Sequence, residues 1–198
     1  MTAFYSKHSV DGSWTMYRTS LHPWDTTAWS AQHATYIQTG GDGGSTYSNP
    51  VCSPGCADTI FLFCRGWDWK PNYSTGTYSA GSSTWSWTSA RTLIRSYWGR
   101  PYAKYAASPD GSVAIAFSSC HPGESSAELH FAYFGASKDG RLGYFRSDGS
   151  LIKLRCHGPL CCWQADVIYC GGQSTSPEPI EAWVWDVAVG SDGTLAVV

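Results

Sequence analysis

The sequence predicts an all-β fold, a β-propeller segment of four-stranded antiparallel blades, with about two full blades and a partial one at each end. Three observations predict it. Runs of strand length, such as Val113–Phe117, Leu129–Phe134 and Leu142–Phe145, are separated by polar, glycine-bearing connections. Residues two apart on a strand share a face, so Val113, Ile115 and Phe117 line up. Asp-Gly pairs at 11–12, 110–111, 139–140 and 192–193 supply the positive φ that tight hairpin turns need. No segment carries a sustained helical period with caps, so almost no helix is expected.

Taken in order, residues 2–8 read as a strand and Asp11-Gly12 as a turn. Trp14–Ser20 is the return strand, with Trp14, Met16 and Arg18 on one side. A corner around His22-Pro23 leads to a short strand at Ala34–Gln38 and a glycine-rich loop from Gly40 to Gly44. The next unit opens on Tyr47-Ser48-Asn49-Pro50. Thr59–Arg65 is a continuous apolar run of strand length, Asn72–Tyr78 an alternating polar strand, Gly81 to Trp85 a turn, and Ala90–Arg95 the closing strand. Residues 100–154 form a third unit. Ala165–Tyr169, Trp183–Val189 and Leu195–Val198 are further strands. The expected blades are 1–38, 46–95, 100–154 and 163–198, within one partial domain. A β-sandwich is the alternative architecture. A closed ring needs four or more blades, so unpaired end strands predict self-association or flanking blades outside this chain.

Composition narrows the function. Charged residues make up 14% of the 198, below the roughly 25% of ordinary globular chains. The 11 Trp and 12 Tyr are too many for a core alone, because a buried Trp or Tyr needs a partner for its polar atom. They are expected to line a groove or the seams between sheets. A net charge of −2 gives no attraction to nucleic acid or to an anionic membrane. No apolar run approaches the roughly 20 residues of a spanning helix.

Eight cysteines in such a chain predict disulfides in an oxidising compartment, hence a secreted or extracellular protein. The first residues, MTAFYSKHS, show no signal peptide. A structural metal ion among Cys156, His157, Cys161 and Cys162 is one alternative, although their spacing is not that of a standard finger. Free buried thiols are the other. No cofactor is implied.

Five stretches carry a family resemblance: Phe61-Leu62-Phe63-Cys64-Arg65-Gly66, Arg100-Pro101-Tyr102-Ala103-Lys104-Tyr105, Phe117-Ser118-Ser119-Cys120-His121-Pro122, Leu129-His130-Phe131-Ala132-Tyr133-Phe134 and Ala182-Trp183-Val184-Trp185-Asp186-Val187-Ala188. As a set, in this order, they resemble the BNR-repeat (family 4) propeller proteins, which include ulvan-type polysaccharide lyases and are similar to sialidases in fold. The resemblance implies an acidic, uronate-containing polysaccharide as partner and β-elimination as the reaction of the intact protein. That chemistry needs a group to neutralise the sugar carboxylate, a base for the neighbouring carbon and an acid for the leaving oxygen. The resemblance implies these roles for His8, Tyr47 and Arg65: His8 in the groove, Tyr47 as acid or base, and Arg65 on the carboxylate. Tyr102 or Tyr105 supplies a further substrate-contacting tyrosine. From the residues alone, His121 on its Pro-Gly corner suits a ligand or base, and Trp67 and Trp69 could stack on sugar rings.

Each of these has an ordinary structural role as well: turn histidine, loop aromatic, seam packing, or an ion pair of Arg65 with Asp68. Two other functions stay open, a non-catalytic glycan-binding or structural propeller and a sialidase-like hydrolase. The hydrolase needs an arginine triad and a Tyr/Glu pair that are hard to place here.

Overall fold

A computed structural model of the chain describes residues 1–6, 14–37, 45–52, 58–66, 69–96, 99–121, 128–170 and 183–198. The described residues are all-β, in sheets that are antiparallel but for one two-stranded parallel pair, with no closed barrel among them, and consistent with an incomplete propeller-like chain. Among the described residues there is no α-helix, and 3-10 turns occur at Arg155–His157 and Cys162–Gln164. The chain divides into two compact units, Met1–Cys52 with Cys56–Arg91, and Ser53–Gly55 with Thr92–Val198.

In the first unit, β1 (Thr2–Tyr5), β2 (Thr15–Thr19) and β3 (His33–Thr35) form an antiparallel sheet in that order. A second sheet is a meander of β4 (Thr46–Cys52), β5 (Thr59–Arg65), β6 (Pro71–Ser79) and β7 (Thr84–Trp87). The apolar run of β5 makes it the central strand: Ile60 to Arg65 are all buried, as a strand covered on both faces must be. The two sheets meet along an aromatic seam. Phe4 lies 5.6 Å from Tyr17, 5.8 Å from Trp87 and 6.1 Å from Trp85, ring centre to ring centre. The Trp85 indole N–H donates to Thr2 Oγ1 (3.4 Å), and its backbone N–H to the Tyr17 hydroxyl (3.3 Å). Part of the aromatic excess therefore fills a seam, with the Trp85 indole N–H satisfied. Ile37, Leu62 and Cys64 form the adjoining core.

In the second unit, β10 (Ala103–Ala107), β11 (Val113–Ser118), β12 (Glu128–Ala136), β13 (Leu142–Phe145) and β14 (Leu151–Leu154) form the main sheet in that order. The long β12 pairs with β11 along one edge. Its other edge is shared between β13 and β16 (Asp166–Cys170). A hairpin of β17 (Val187–Val189) and β18 (Leu195–Val197) covers one face, packing Val187 and its neighbours on Ala114, Ala116 and Phe131. The other face carries Val113, Ile115 and Phe117, all fully buried, so the shared face read from the sequence holds.

Four hairpin turns of this unit are built alike. The turns start at Ser108, Ser137, Arg146 and Gly190. In each, the glycine N–H donates to the carbonyl three residues back: Gly111 to Ser108 (3.0 Å), Gly140 to Ser137 (2.8 Å), Gly149 to Arg146 (3.0 Å) and Gly193 to Gly190 (3.0 Å). The N–H of the first residue closes the turn onto the carbonyl of the fifth at 2.7–2.9 Å. All four glycines have φ between +78° and +88°, the left-handed region where a side chain is strained. The aspartate before each glycine accepts the backbone N–H two residues on. The Asp148-Gly149 turn is one the sequence pattern did not single out. Asp11-Gly12 and the Gly40–Gly44 loop lie outside the described residues.

Several expectations need correction. Ala90–Arg95 is not one strand. It breaks at Leu93 into β8 (Arg91–Thr92), which pairs with β6, and β9 (Ile94–Arg95), which pairs in parallel with β15 (Leu160–Cys161). The Leu93 carbonyl accepts the Leu160 N–H (2.9 Å) and the Tyr144 hydroxyl (3.1 Å), partners distant in sequence. The run Trp183–Val189 is strand only from Val187, because the N–H groups of Trp185 and Asp186 both turn to the Val198 carbonyl. β10 and β14 are strands that alternation did not mark. The expected disulfides are not formed among the described cysteines: no bond joins any two of Cys52, Cys64, Cys120, Cys156, Cys161, Cys162 and Cys170. Cys64 is a core residue, and burial pushes its thiol up to about 12, so it stays protonated. Cys56 lies outside the described residues.

Candidate functional site

In the first unit, the end of β5 carries Arg65, 93% buried. Its guanidinium carbon lies 4.8 Å from the centre of the Tyr47 ring and 4.7 Å from that of Trp69. Each contact is a cation–π interaction, worth about 0.5–2 kcal/mol depending on desolvation. A guanidinium is planar, and its N–H edge is the fork that matches a carboxylate with two parallel bonds.

Local structure explains how Tyr47 reaches this position. Thr46 is paired with Arg65, but the next pair is Asn49 with Phe63, so a bulge falls at Tyr47-Ser48. A bulge re-aims the side chains it carries. Tyr47 has φ of +57°, and the Asn49 side-chain amide donates to its carbonyl. Thr15 on β2 fastens the segment through the Ser45 hydroxyl (3.0 Å) and the Ser48 hydroxyl (3.3 Å).

Trp69 belongs to the tight β5–β6 connection, where Gly66 N–H donates to the Lys70 carbonyl (2.9 Å) and Trp69 N–H to the Gly66 carbonyl (3.2 Å). Its φ is +62°. Both aromatics against Arg65 thus hold a conformation that costs a side-chain-bearing residue on the order of 1–2 kcal/mol. Gly66 is required for space: a Cβ there would lie 1.8 Å from Asn72 Nδ2.

A second aromatic cluster lies in the second unit. The Tyr102 ring centre is 5.3 Å from that of His121 and 5.2 Å from that of Trp183, which is half exposed. Tyr102 is held by a hydrogen bond from its N–H to Ser118 Oγ (3.0 Å).

The structure therefore brings Tyr47, Arg65 and Trp69 together in one unit, and Tyr102 and His121 together in the other. It separates Tyr105 from Tyr102. Tyr105 pairs with Ile115 while Tyr102 bonds to Ser118, so the tyrosines belong to opposite faces of the sheet. Their spacing of three residues was the signal that could have settled this. His8 and Trp67 lie outside the described residues. Trp183 was not foreseen as a partner of Tyr102 and His121, nor Trp69 as a partner of Arg65. No group of three or more potential metal ligands gathers among the described residues, and no described helix is long and apolar enough to cross a membrane.

Sheets joined by repeated Asp-Gly hairpins, with a ring-flanked arginine at a strand end, define an all-β protein of repeated antiparallel units. Residues 1–198 match the model of the BNR repeat-containing family, and the chain belongs to that family. Membership suggests a carbohydrate-related, sialidase-like propeller. A search of curated proteins finds no match.

Proposed function

We propose that the protein binds an acidic, uronate-containing polysaccharide and that Arg65 receives the sugar carboxylate. One observation supports this reading above the others. The Arg65 guanidinium is flanked by Tyr47 and Trp69, and both rings are held at positive φ. Backbone strain of this kind gathers where a side chain is needed in one place. In the intact protein the reaction would be β-elimination. Arg65 would offset the carboxylate charge, making the adjacent C–H more acidic. The Tyr47 hydroxyl would move a proton to or from the sugar, with His8 sharing the work. Tyr102, His121 and Trp183 offer a separate aromatic surface for sugar contact. The setting proposed is extracellular, in keeping with a polysaccharide partner.

The second reading is glycan binding without turnover, favoured by the way Tyr47 is engaged through its ring face with Arg65. A sialidase-like hydrolase has less support, because Arg18 is exposed on β2 and does not join the flanked arginine.

Incubation with uronate polymers, followed by absorbance of the unsaturated product, separates the first two readings. Under the lyase reading product accumulates and Tyr47→Phe reduces kcat far more than it raises KM. Binding with no product in the intact protein overturns the lyase reading and leaves the carboxylate site standing.

A further inference from the structure

Three of the Asp-Gly turns in the second unit open onto one cleft of about 540 Å³, a volume typical of small-ligand sites. The turns between β10 and β11, β13 and β14, and β17 and β18 contribute Asp110, Asp148 and Asp192. Tyr133 and Phe145 also line it. They are paired across β12 and β13, so they share a face and offer adjoining apolar rings. No lysine, arginine or histidine is among the lining residues.

The carboxylates are built in. Asp110 Oδ1 accepts the Ser112 N–H (2.9 Å), Asp148 Oδ1 the Ser150 N–H (2.8 Å) and Asp192 Oδ1 the Thr194 N–H (2.9 Å). Hydrogen bonds from the Ser112 and Ser150 hydroxyls, then from the backbone, hold Asp110 and Asp148 below the ordinary carboxylate range, with Arg146 adding to this at Asp148; at Asp192 the Thr194 N–H leads and its hydroxyl follows. Fixed acceptors lose little freedom when a ligand arrives.

We propose that this cleft is a second glycan site, for a sugar residue that carries an ammonium group, as in a glucosamine oligomer. The ring hydrocarbon face packs on Tyr133 and Phe145, and the ammonium and hydroxyl donors meet the carboxylates. A uronate is refused, because its charge would face three like charges with no cation among the lining residues. This preference is opposite in sign to that of Arg65, and the two proposals stand or fall separately.

The test is calorimetric titration of the full chain with a glucosamine oligomer, its N-acetylated form and a uronate oligomer, using Asp148→Asn and Asp192→Asn. Asparagine keeps the side-chain oxygen that closes each turn, so these variants are expected to fold. The glucosamine oligomer should bind, and the N-acetylated form about tenfold more weakly, as for losing the charge contacts. Each asparagine substitution should weaken binding about fivefold. In the unaltered chain, titration should shift the amide NMR signals of Gly111, Gly149 and Gly193. The proposal is overturned by no binding of the glucosamine oligomer, by equal binding of the N-acetylated form, or by unmoved glycine signals.

Discussion

The backbone enters the left-handed region in both units, but with different residues. Among the described residues, every glycine at positive φ is in the second unit: Gly111, Gly140, Gly149, Gly158 and Gly193. Every non-glycine residue at positive φ is in the first: Trp24, Tyr47, Trp69 and Ser83. A turn that only needs to reverse the chain can use glycine at little steric cost. A position that must also present a ring cannot. The first unit accepts strain at Tyr47 and Trp69, and both rings lie against Arg65. The second unit instead repeats one relaxed turn and lets the aspartate before the glycine carry the chemistry.

The largest effect expected concerns the space that makes the β5–β6 connection. Gly66→Ala would put a Cβ 1.8 Å from Asn72 Nδ2 and 2.9 Å from its Cγ. Asn72 is fully buried and has little room to move, so denaturant unfolding should show a loss near the top of the overpacking range, about 3 kcal/mol.

A paired substitution comes next and bears on the comparison directly. Gly149→Ala should cost on the order of 1–2 kcal/mol, because φ of +81° is strained for alanine. Trp69→Asn should leave stability within about 0.5 kcal/mol of the parent, since relief of strain offsets the lost cation–π contact. The same Trp69→Asn protein should bind uronate more weakly. Equal stability losses from the two substitutions would break the contrast between the units.

Much of the fold was readable in the sequence. Thr59–Arg65 and Leu142–Phe145 appear as strands with the bounds predicted, because an unbroken apolar run and flanking turn residues act locally. The break at Leu93 was not readable, since its hydrogen-bond partners are Leu160 and Tyr144. The nearness of Arg65 and Tyr47 was expected through family resemblance. The stacking of Trp69 on Arg65 depends on a left-handed backbone at a tryptophan, which no propensity favours. The convergence of three Asp-Gly turns on one cleft depends on sheet packing, so the repeated dipeptide alone gave no hint of it.

The smallest effect is a pH dependence confined to the second unit. His130 is buried against Phe117, with ring centres 5.3 Å apart. Burial holds its pKa below the ordinary 6.5, against the opposing pull of Glu128, whose Oε2 lies 3.3 Å from Nε2. The unfolded chain therefore takes up the proton first. The stabilisation is complete above about 6.5 and declines as pH falls below it. A melting series should show this decline, and His130→Leu should flatten it; an unchanged slope in the variant assigns the decline to other groups.

The carboxylate role of Arg65 is tested most directly by calorimetric titration with a uronate oligomer and its carboxyl-reduced counterpart, in the parent chain and in Arg65→Ala. The parent should prefer the uronate by about 2–3 kcal/mol, the scale of a well-desolvated charge pair, and Arg65→Ala should bind both oligomers equally weakly. A parent-like preference for the uronate in Arg65→Ala would contradict the account.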